Sequence, residues 1–337
     1  MKEAMLFERL DDNKVQCNLC CHRCIIKEGS YGICGVRQNI GGTLYSLVYD
    51  KIITAHVDPI EKKPLFQFYP GSKAYSIATV GCNFTCKHCQ NADISQFTRE
   101  EKGHIIGDMI RPEDIVRDAE RSGCTSIAYT YTEPTIFFEL SFDTATLAHA
   151  KGIKNVFVSN GYMTPEALKE ISPYLDAINI DIKAFTEKFY KEICGARLEP
   201  VLSSIKLARE LGIWVEVTTL VIPTLNDSVS ELKQIAEFIK GVDCNIPWHI
   251  SQFYPTYQLT RLPRTPVETL HLARDIGLQA GLHYVYEGNV PGRGNENTYC
   301  PSCGTLLIER WGYSIIKNII EDGRCPSCKS PVAGVGL

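Results

Sequence analysis

Apolar and polar positions along this chain alternate between two periods. Short apolar runs at 75–80, 126–130, 155–159, 177–182, 214–221, 248–253 and 284–287 have the length and bounding residues of buried strands. Between them lie helix-period segments at 112–122, 135–151, 165–171, 200–211, 228–240 and 267–280. Arg111-Pro112-Glu113-Asp114 and Thr164-Pro165-Glu166 supply helix starts, and Gly123, Gly152, Gly212 and Gly281 supply stops. Strands separated by crossover helices predict a parallel α/β sheet, either a full or partial TIM-like (β/α) barrel or a doubly wound open sheet. The barrel is favoured because polar groups recur just after successive strands, where barrel enzymes carry their chemistry. These are the cysteine loop at 82–89, Glu133, Ser159-Asn160, Asp181 and Lys183, His249, and Gly288-Asn289 with the residues to Gly292.

The flanks differ from the middle. A Cys-rich segment covers 1–40, a short β meander is expected over 41–72, the barrel over 73–291, and a second Cys-rich segment over 292–337. With 337 residues, a net charge of −4 and a pI near 6.1, the chain advertises no basic field for nucleic acid. It has no apolar run of membrane-spanning length and no signal-like start, so a soluble cytoplasmic protein is expected. Of its 15 cysteines, 12 fall in three compact sets, which argues for metal rather than disulfides.

The central set, Cys82, Cys86 and Cys89, has the spacing C-x3-C-x2-C. Three thiolates on a four-iron cluster leave one iron open. This loop resembles the signature of radical S-adenosylmethionine (SAM) enzymes. The resemblance implies an oxygen-sensitive [4Fe-4S] cluster on Cys82, Cys86 and Cys89. It also implies SAM on the open iron, reductively cleaved to a 5′-deoxyadenosyl radical. Carried over by position, it places His88 against the adenine and Glu133 at the methionine amino group, although Tyr131-Thr132-Glu133-Pro134 lacks the glycines usual before that acid. Ser159, Asn160, Asp181, Lys183 and His249 are placed around the ribose and carboxylate, as in pyruvate formate-lyase activating enzymes. Ala78 and Val158 depart from those activases. Cys194 is the lone cysteine near the strand-end face, with a buried apolar residue as its ordinary reading. Glu61, Lys62 and Lys63 are expected to form a solvated charge run.

Cys300, Cys303, Cys325 and Cys328 form two Cys-Pro-Ser-Cys knuckles, the ordinary sequence of a zinc ribbon. Cys17, Cys20, Cys24 and Cys34 give a second tetrad, with Cys21 and His22 as competitors. Zinc is preferred there over a second iron–sulfur cluster, because the spacing matches no ferredoxin run. These tetrads flank Asp58-Pro59-Ile60-Glu61-Lys62-Lys63-Pro64 and Gly288-Asn289-Val290-Pro291-Gly292. Together they resemble the radical SAM enzyme of the AmmeMemoRadiSam system, nearly end to end. That resemblance implies association with a Memo-like protein and an AMMECR-type protein, with a flavodoxin or ferredoxin as electron donor. The expected activity is hydrogen abstraction from an unidentified substrate, a protein side chain or a peptide. A glycyl-radical enzyme activase and a non-catalytic zinc-binding interaction module are the alternatives.

Overall fold

The structure is a computed structural model that describes residues 1–101, 103–290 and 295–337. Its centre is an eight-stranded sheet. We label the strands β1 (Thr54–Pro59), β2 (Lys73–Ala78), β3 (Ser126–Tyr129), β4 (Lys154–Ser159), β5 (Ala177–Asp181), β6 (Trp214–Val221), β7 (Trp248–Gln252) and β8 (Val285–Gly288). They lie side by side in chain order. β2 to β8 are parallel, and β1 pairs antiparallel with β2. A doubly wound sheet reverses its order at a switch point. Here the order never reverses, so the chain winds in one sense into a partial barrel. Among the described residues β1 and β8 do not pair, and the barrel stays open along that side.

The crossover helices are α1 (Pro112–Arg121), α2 (Phe138–Ala150), α3 (Pro165–Ile171), α4 (Glu199–Glu210), α5 (Val229–Val242) and α6 (Val267–Ala280). α1 starts with Pro at its first position, follows with Glu113 and Asp114 where the helix dipole favours acids, and buries Ile115, Val116 and Ala119. Thr164 caps α3 by accepting from the Ala167 amide at 3.2 Å, and donates to the Asn18 carbonyl at 2.7 Å. One hydroxyl thus starts a barrel helix and docks the N-terminal segment. Among the described residues no helix is long and apolar enough to cross a membrane.

The expected meander over 41–72 does not form. Thr43–Ser46 pairs with Arg37–Ile40 and Lys2–Glu3, Lys51–Ile52 pairs with Asp108–Met109, and β1 joins the barrel. The turn at Asp50-Lys51 separates partners instead of joining them, since each strand has a better apolar face to cover elsewhere. The segment after β1 turns back beneath the barrel. Ile60, Leu65 and Phe68 form an apolar cluster with Ala74, Ala128, Val156, Ala177 and Trp214, near the strand starts. Each such side chain contributes roughly 1.5–3 kcal/mol on burial, so this segment acts as a floor.

The C-terminal segment forms a three-stranded sheet of Thr298–Tyr299, Leu306–Trp311 and Ser314–Asn318. It braces the floor rather than the mouth. Arg310 donates to the Phe66 carbonyl at 2.8 Å, and the Tyr69 amide donates to the Val335 carbonyl at 2.7 Å. The expected barrel-to-ribbon boundary at 291–292, and Pro291-Gly292 of the adenine-wall segment, lie outside the described residues.

Candidate active site

The loop after β2 is shaped by close approaches. Gly81 has φ +97°, and a Cβ there would lie 2.7 Å from Val36 Cγ1. Beyond it, the Thr85 and Lys87 amides donate to the Cys194 and Ile193 carbonyls at 2.8 and 3.0 Å. Gly195, with φ +69°, lets that support come close, since a Cβ would meet Thr85 Oγ1 at 2.3 Å. Arg99 donates to the Cys82 carbonyl at 3.0 Å. The loop is therefore held from both sides before any ligand arrives.

Cys82, Cys86 and Cys89 face a cavity of 450 Å³, within the ordinary range for a small-molecule site. His88, Ser159, Asn160, Asp181, Lys183 and His249 line the same space. The structure thus brings together side chains from the ends of β2, β4, β5 and β7. Burial pushes the Cys82 thiol well above its ordinary pKa. Cys86 is raised well above it too, first by its hydrogen bond with Cys194 and then by burial. Such thiols ionise only when a cation compensates them, which is what a metal cluster supplies. Among the described residues no three of these loop donors close within 4.8 Å of one another. Cys86 and His88 close instead with Cys194, and the three loop thiols stay available to separate irons. The residues fit a cluster.

Burial lowers the His88 pKa to about 3, aided by Lys183, so the ring is neutral. His88 is 4% exposed and its Nδ1 has no protein partner. Lys183 Nζ meets Asp181 Oδ2 at 2.9 Å. Burial disfavours the Lys183 ammonium, but Asp181 together with the Cys86 and Cys194 sulfurs raises its pKa well above the usual value. Asn160 Nδ2 donates to Asn83 Oδ1 at 2.7 Å, which ties the end of β4 to the cysteine loop.

Glu133 departs from its expected place. It is buried and does not line the cavity. Its carboxylate accepts from the Thr135 amide at 3.1 Å, Ser159 Oγ at 2.8 Å and the Asn160 amide at 2.8 Å. Those donors engage both oxygens, so Glu133 holds the ends of β3 and β4 together.

The expected charge run at 61–63 is also corrected. Glu61 and Lys63 are buried and, with Lys62, line the floor end of the cavity. Lys63 Nζ donates to Asp58 Oδ2 at 2.7 Å, and Tyr131 OH donates to the same oxygen. Burial outweighs Asp58 and lowers the Lys63 pKa to about 8. Glu61 accepts from the Gly71 amide at 2.8 Å, and its other oxygen has no protein partner. The i, i+4 spacing of Asp58 and Lys62 was the available sequence signal.

Glu216 is a functional neighbour that sequence reasoning missed. Fully buried on β6, it accepts from His249 Nε2 at 2.6 Å, the Phe66 and Gln67 amides at 3.0 and 2.9 Å, and Trp214 Nε1 at 3.0 Å. It orients His249 and pins the floor. A single acid inside the apolar run Trp214-Val215-Glu216-Val217 was its signal. Cys194 is fully buried as expected. It is also more than a core residue, since its sulfur lies within 4.8 Å of the Cys86 and His88 donor atoms.

The C-terminal tetrad closes. Cys300 and Cys328 sulfurs are 3.6 Å apart, Cys303 and Cys325 sulfurs 3.7 Å, and all four lie within 4.8 Å of one another. Bonds of about 2.3 Å in a tetrahedron require sulfurs about 3.8 Å apart, so this tetrad fits one zinc ion. The N-terminal cysteines Cys17, Cys20, Cys24 and Cys34 line a separate small pocket that shares Asn83 with the loop. Cys21 does not line it; its thiol donates to the Met163 carbonyl at 3.2 Å.

A cysteine loop at the C-terminal strand ends of a partial barrel, opening on a polar cavity, defines a metallocluster barrel enzyme. Residues 76–239 match the family model of the Radical SAM superfamily. The chain is 50% identical to the uncharacterized protein MJ0808 of Methanocaldococcus jannaschii, over 97% of this chain and 98% of that protein. It is 25% identical to the putative glycyl-radical enzyme activating enzyme MJ1632 of the same organism, over 62% of this chain and 78% of that protein. Streptococcus suis SuiB bound to S-adenosylmethionine shares the fold, with a TM-score of 0.51 and 13% identity, covering 68% of this chain and 53% of that one. The chain belongs to the radical SAM superfamily. That membership makes it an enzyme and implies a [4Fe-4S] cluster and SAM.

Proposed function

We propose that Cys82, Cys86 and Cys89 hold the cluster, and that the 450 Å³ cavity holds SAM with a hydrogen-donating substrate beyond it. The observation that carries this is the convergence of the three thiols with His88, Asn160, Asp181, Lys183 and His249 on one cavity. Bound together and reduced by one electron, cluster and SAM supply a 5′-deoxyadenosyl radical. The protein's part is to bind, orient and exclude water. Lys183 offers an ammonium to the SAM carboxylate, and Asp181 holds that ammonium charged. His249, fixed by Glu216, donates or accepts at the same end. Neutral His88 presents a flat apolar ring that suits adenine. With the Glu133 carboxylate turned to Ser159 and Asn160, those two residues would stand beside the SAM amino group.

The substrate end is the floor end, where Glu61, Lys63 and Tyr131 gather. An acid with a spare oxygen and a buried lysine offer an acceptor and a donor to a polar substrate, in keeping with a protein side chain or a peptide. The zinc-ribbon tetrad holds a structural zinc. A Memo-like protein and an AMMECR-type protein are the proposed partners, and a flavodoxin or ferredoxin the electron donor. The second reading, a glycyl-radical enzyme activase, is favoured by the name of the MJ1632 relative. The deciding experiment is anaerobic. The protein is reconstituted with iron and sulfide, reduced and given SAM, and 5′-deoxyadenosine is measured. Cys86→Ala is expected to abolish the product; turnover retained in that variant rules the assignment out. A glycine radical raised in a partner protein would single out the second reading.

A further inference from the structure

The chain carries three cysteine sets, and two of them calibrate the third. The ribbon sulfurs stand 3.6–3.7 Å apart in pairs and close within 4.8 Å as four, the geometry of one ion. Cys82, Cys86 and Cys89 face one cavity without closing on one another, which suits the cluster proposed above. Cys17, Cys20, Cys24 and Cys34 behave like the second set. All four line one pocket, yet among the described residues no three of their sulfurs come within 4.8 Å of one another. The pocket between them retains 20 Å³. That is about room for one water.

A second observation concerns charge. Arg37 lines this pocket and is 2% exposed. One of its amino groups donates to Glu139 at 2.6 Å, while its Nε and other amino nitrogen have no protein partner. Buried N–H groups without an acceptor are costly. In a pocket shared with four thiols, the sulfurs of an anionic cluster would supply the missing acceptors. A third observation removes the competitors. Cys21 faces Met163, and His22 spends its Nε2 on the Asn83 carbonyl at 2.9 Å.

We propose that Cys17, Cys20, Cys24 and Cys34 bind a second iron–sulfur cluster of the [4Fe-4S] type, with Arg37 donating hydrogen bonds to its sulfurs. A cluster here departs from the preference for zinc drawn from spacing along the sequence. The site needs no contribution from Cys82, Cys86 or Cys89, so it stands apart from the catalytic assignment.

The test uses the full chain, purified and reconstituted anaerobically with iron and sulfide, then assayed for iron, inorganic sulfide and zinc. The wild type is expected to hold about eight irons, and the Cys82→Ala/Cys86→Ala/Cys89→Ala variant about four irons with four sulfides and one zinc. Four irons in the wild type that all vanish in the triple variant, or two zinc ions with no iron in that variant, would overturn the proposal. Four irons in the wild type that all persist in the triple variant would support it and instead remove the catalytic assignment. Should the triple variant fail to fold, Cys24→Ala in the otherwise native chain serves. It is expected to lose up to half of the bound iron and to change the electron paramagnetic resonance spectrum of the reduced protein. An unchanged iron content and spectrum would overturn the proposal.

Discussion

Lys63 shows how one side chain couples the cavity to pH. In the unfolded chain a lysine keeps its proton up to its ordinary value of 10.5, whereas Lys63 in the fold releases it near 8. Between those values the unfolded chain binds the extra proton, so the contribution of Lys63 to stability rises with pH. Relative to Lys63→Met, the wild type is expected to gain stability in chemical unfolding from pH 8 to 10. A constant difference across that range would remove the argument. Glu216 makes a sharper case. Its removal in Glu216→Ala leaves two buried amides, an indole N–H and His249 without their acceptor. Each loss costs about 1–3 kcal/mol. Glu216→Ala is expected to lower the melting temperature by many degrees and to weaken SAM binding by equilibrium dialysis. Unaltered SAM affinity in a folded variant would leave Glu216 a purely structural part of the floor.

At the scale of elements, the support behind the cysteine loop is a glycine-dependent contact. Gly195→Ala combines a φ of +69° with a Cβ 2.3 Å from Thr85 Oγ1. It is expected to destabilise the fold by about 1–3 kcal/mol and to reduce iron retained after reconstitution. Thr85→Ala in the same chain should recover the steric part only; full recovery would mean the backbone conformation is unstrained. Elements were also where the sequence was most readable. The barrel strands and helices keep their predicted order because most units repeat a local pattern, an apolar run followed by a helix with an acidic start or a glycine stop. The cysteine loop was readable for the same reason, since its ligand spacing is contiguous. What local pattern could not carry was partner choice. Glu133 looked free because its donors come from Ser159 and Asn160, a full βα unit later. Lys63 looked solvated because nothing nearby in sequence shows that its segment folds under the barrel. The strands of 43–59 were assigned to one another because their true partners lie in the N-terminal residues, in 108–109 and in β2.

At the scale of the whole molecule, both Cys-rich flanks are structural parts of the barrel. Val15, Leu19, Val36 and Leu44 share the main apolar core with the barrel helices. At the other end, Arg310 lies 4.5 Å from the Phe66 ring centroid and donates to the Phe66 carbonyl. Stripping the proposed ribbon zinc with a chelator should therefore loosen more than the ribbon. Hydrogen exchange is expected to quicken at the Phe66, Gln67 and Tyr69 amides as well as at 298–318. Protection unchanged at those floor amides would mean that Arg310 and the strand contacts suffice without the metal.

The pairing of Val335 with the floor residues Gln67 and Tyr69 also governs the order of events during synthesis. A nascent chain has made most of its parallel strands long before residue 335 leaves the ribosome. Until then the base of the barrel lacks its last brace, and contacts this distant in sequence form slowly. The floor end of the cavity is thus among the last regions to set, after the cysteine loop has already been translated. Binding partners that act on the nascent protein would meet thiols ready for iron before they meet a finished substrate pocket.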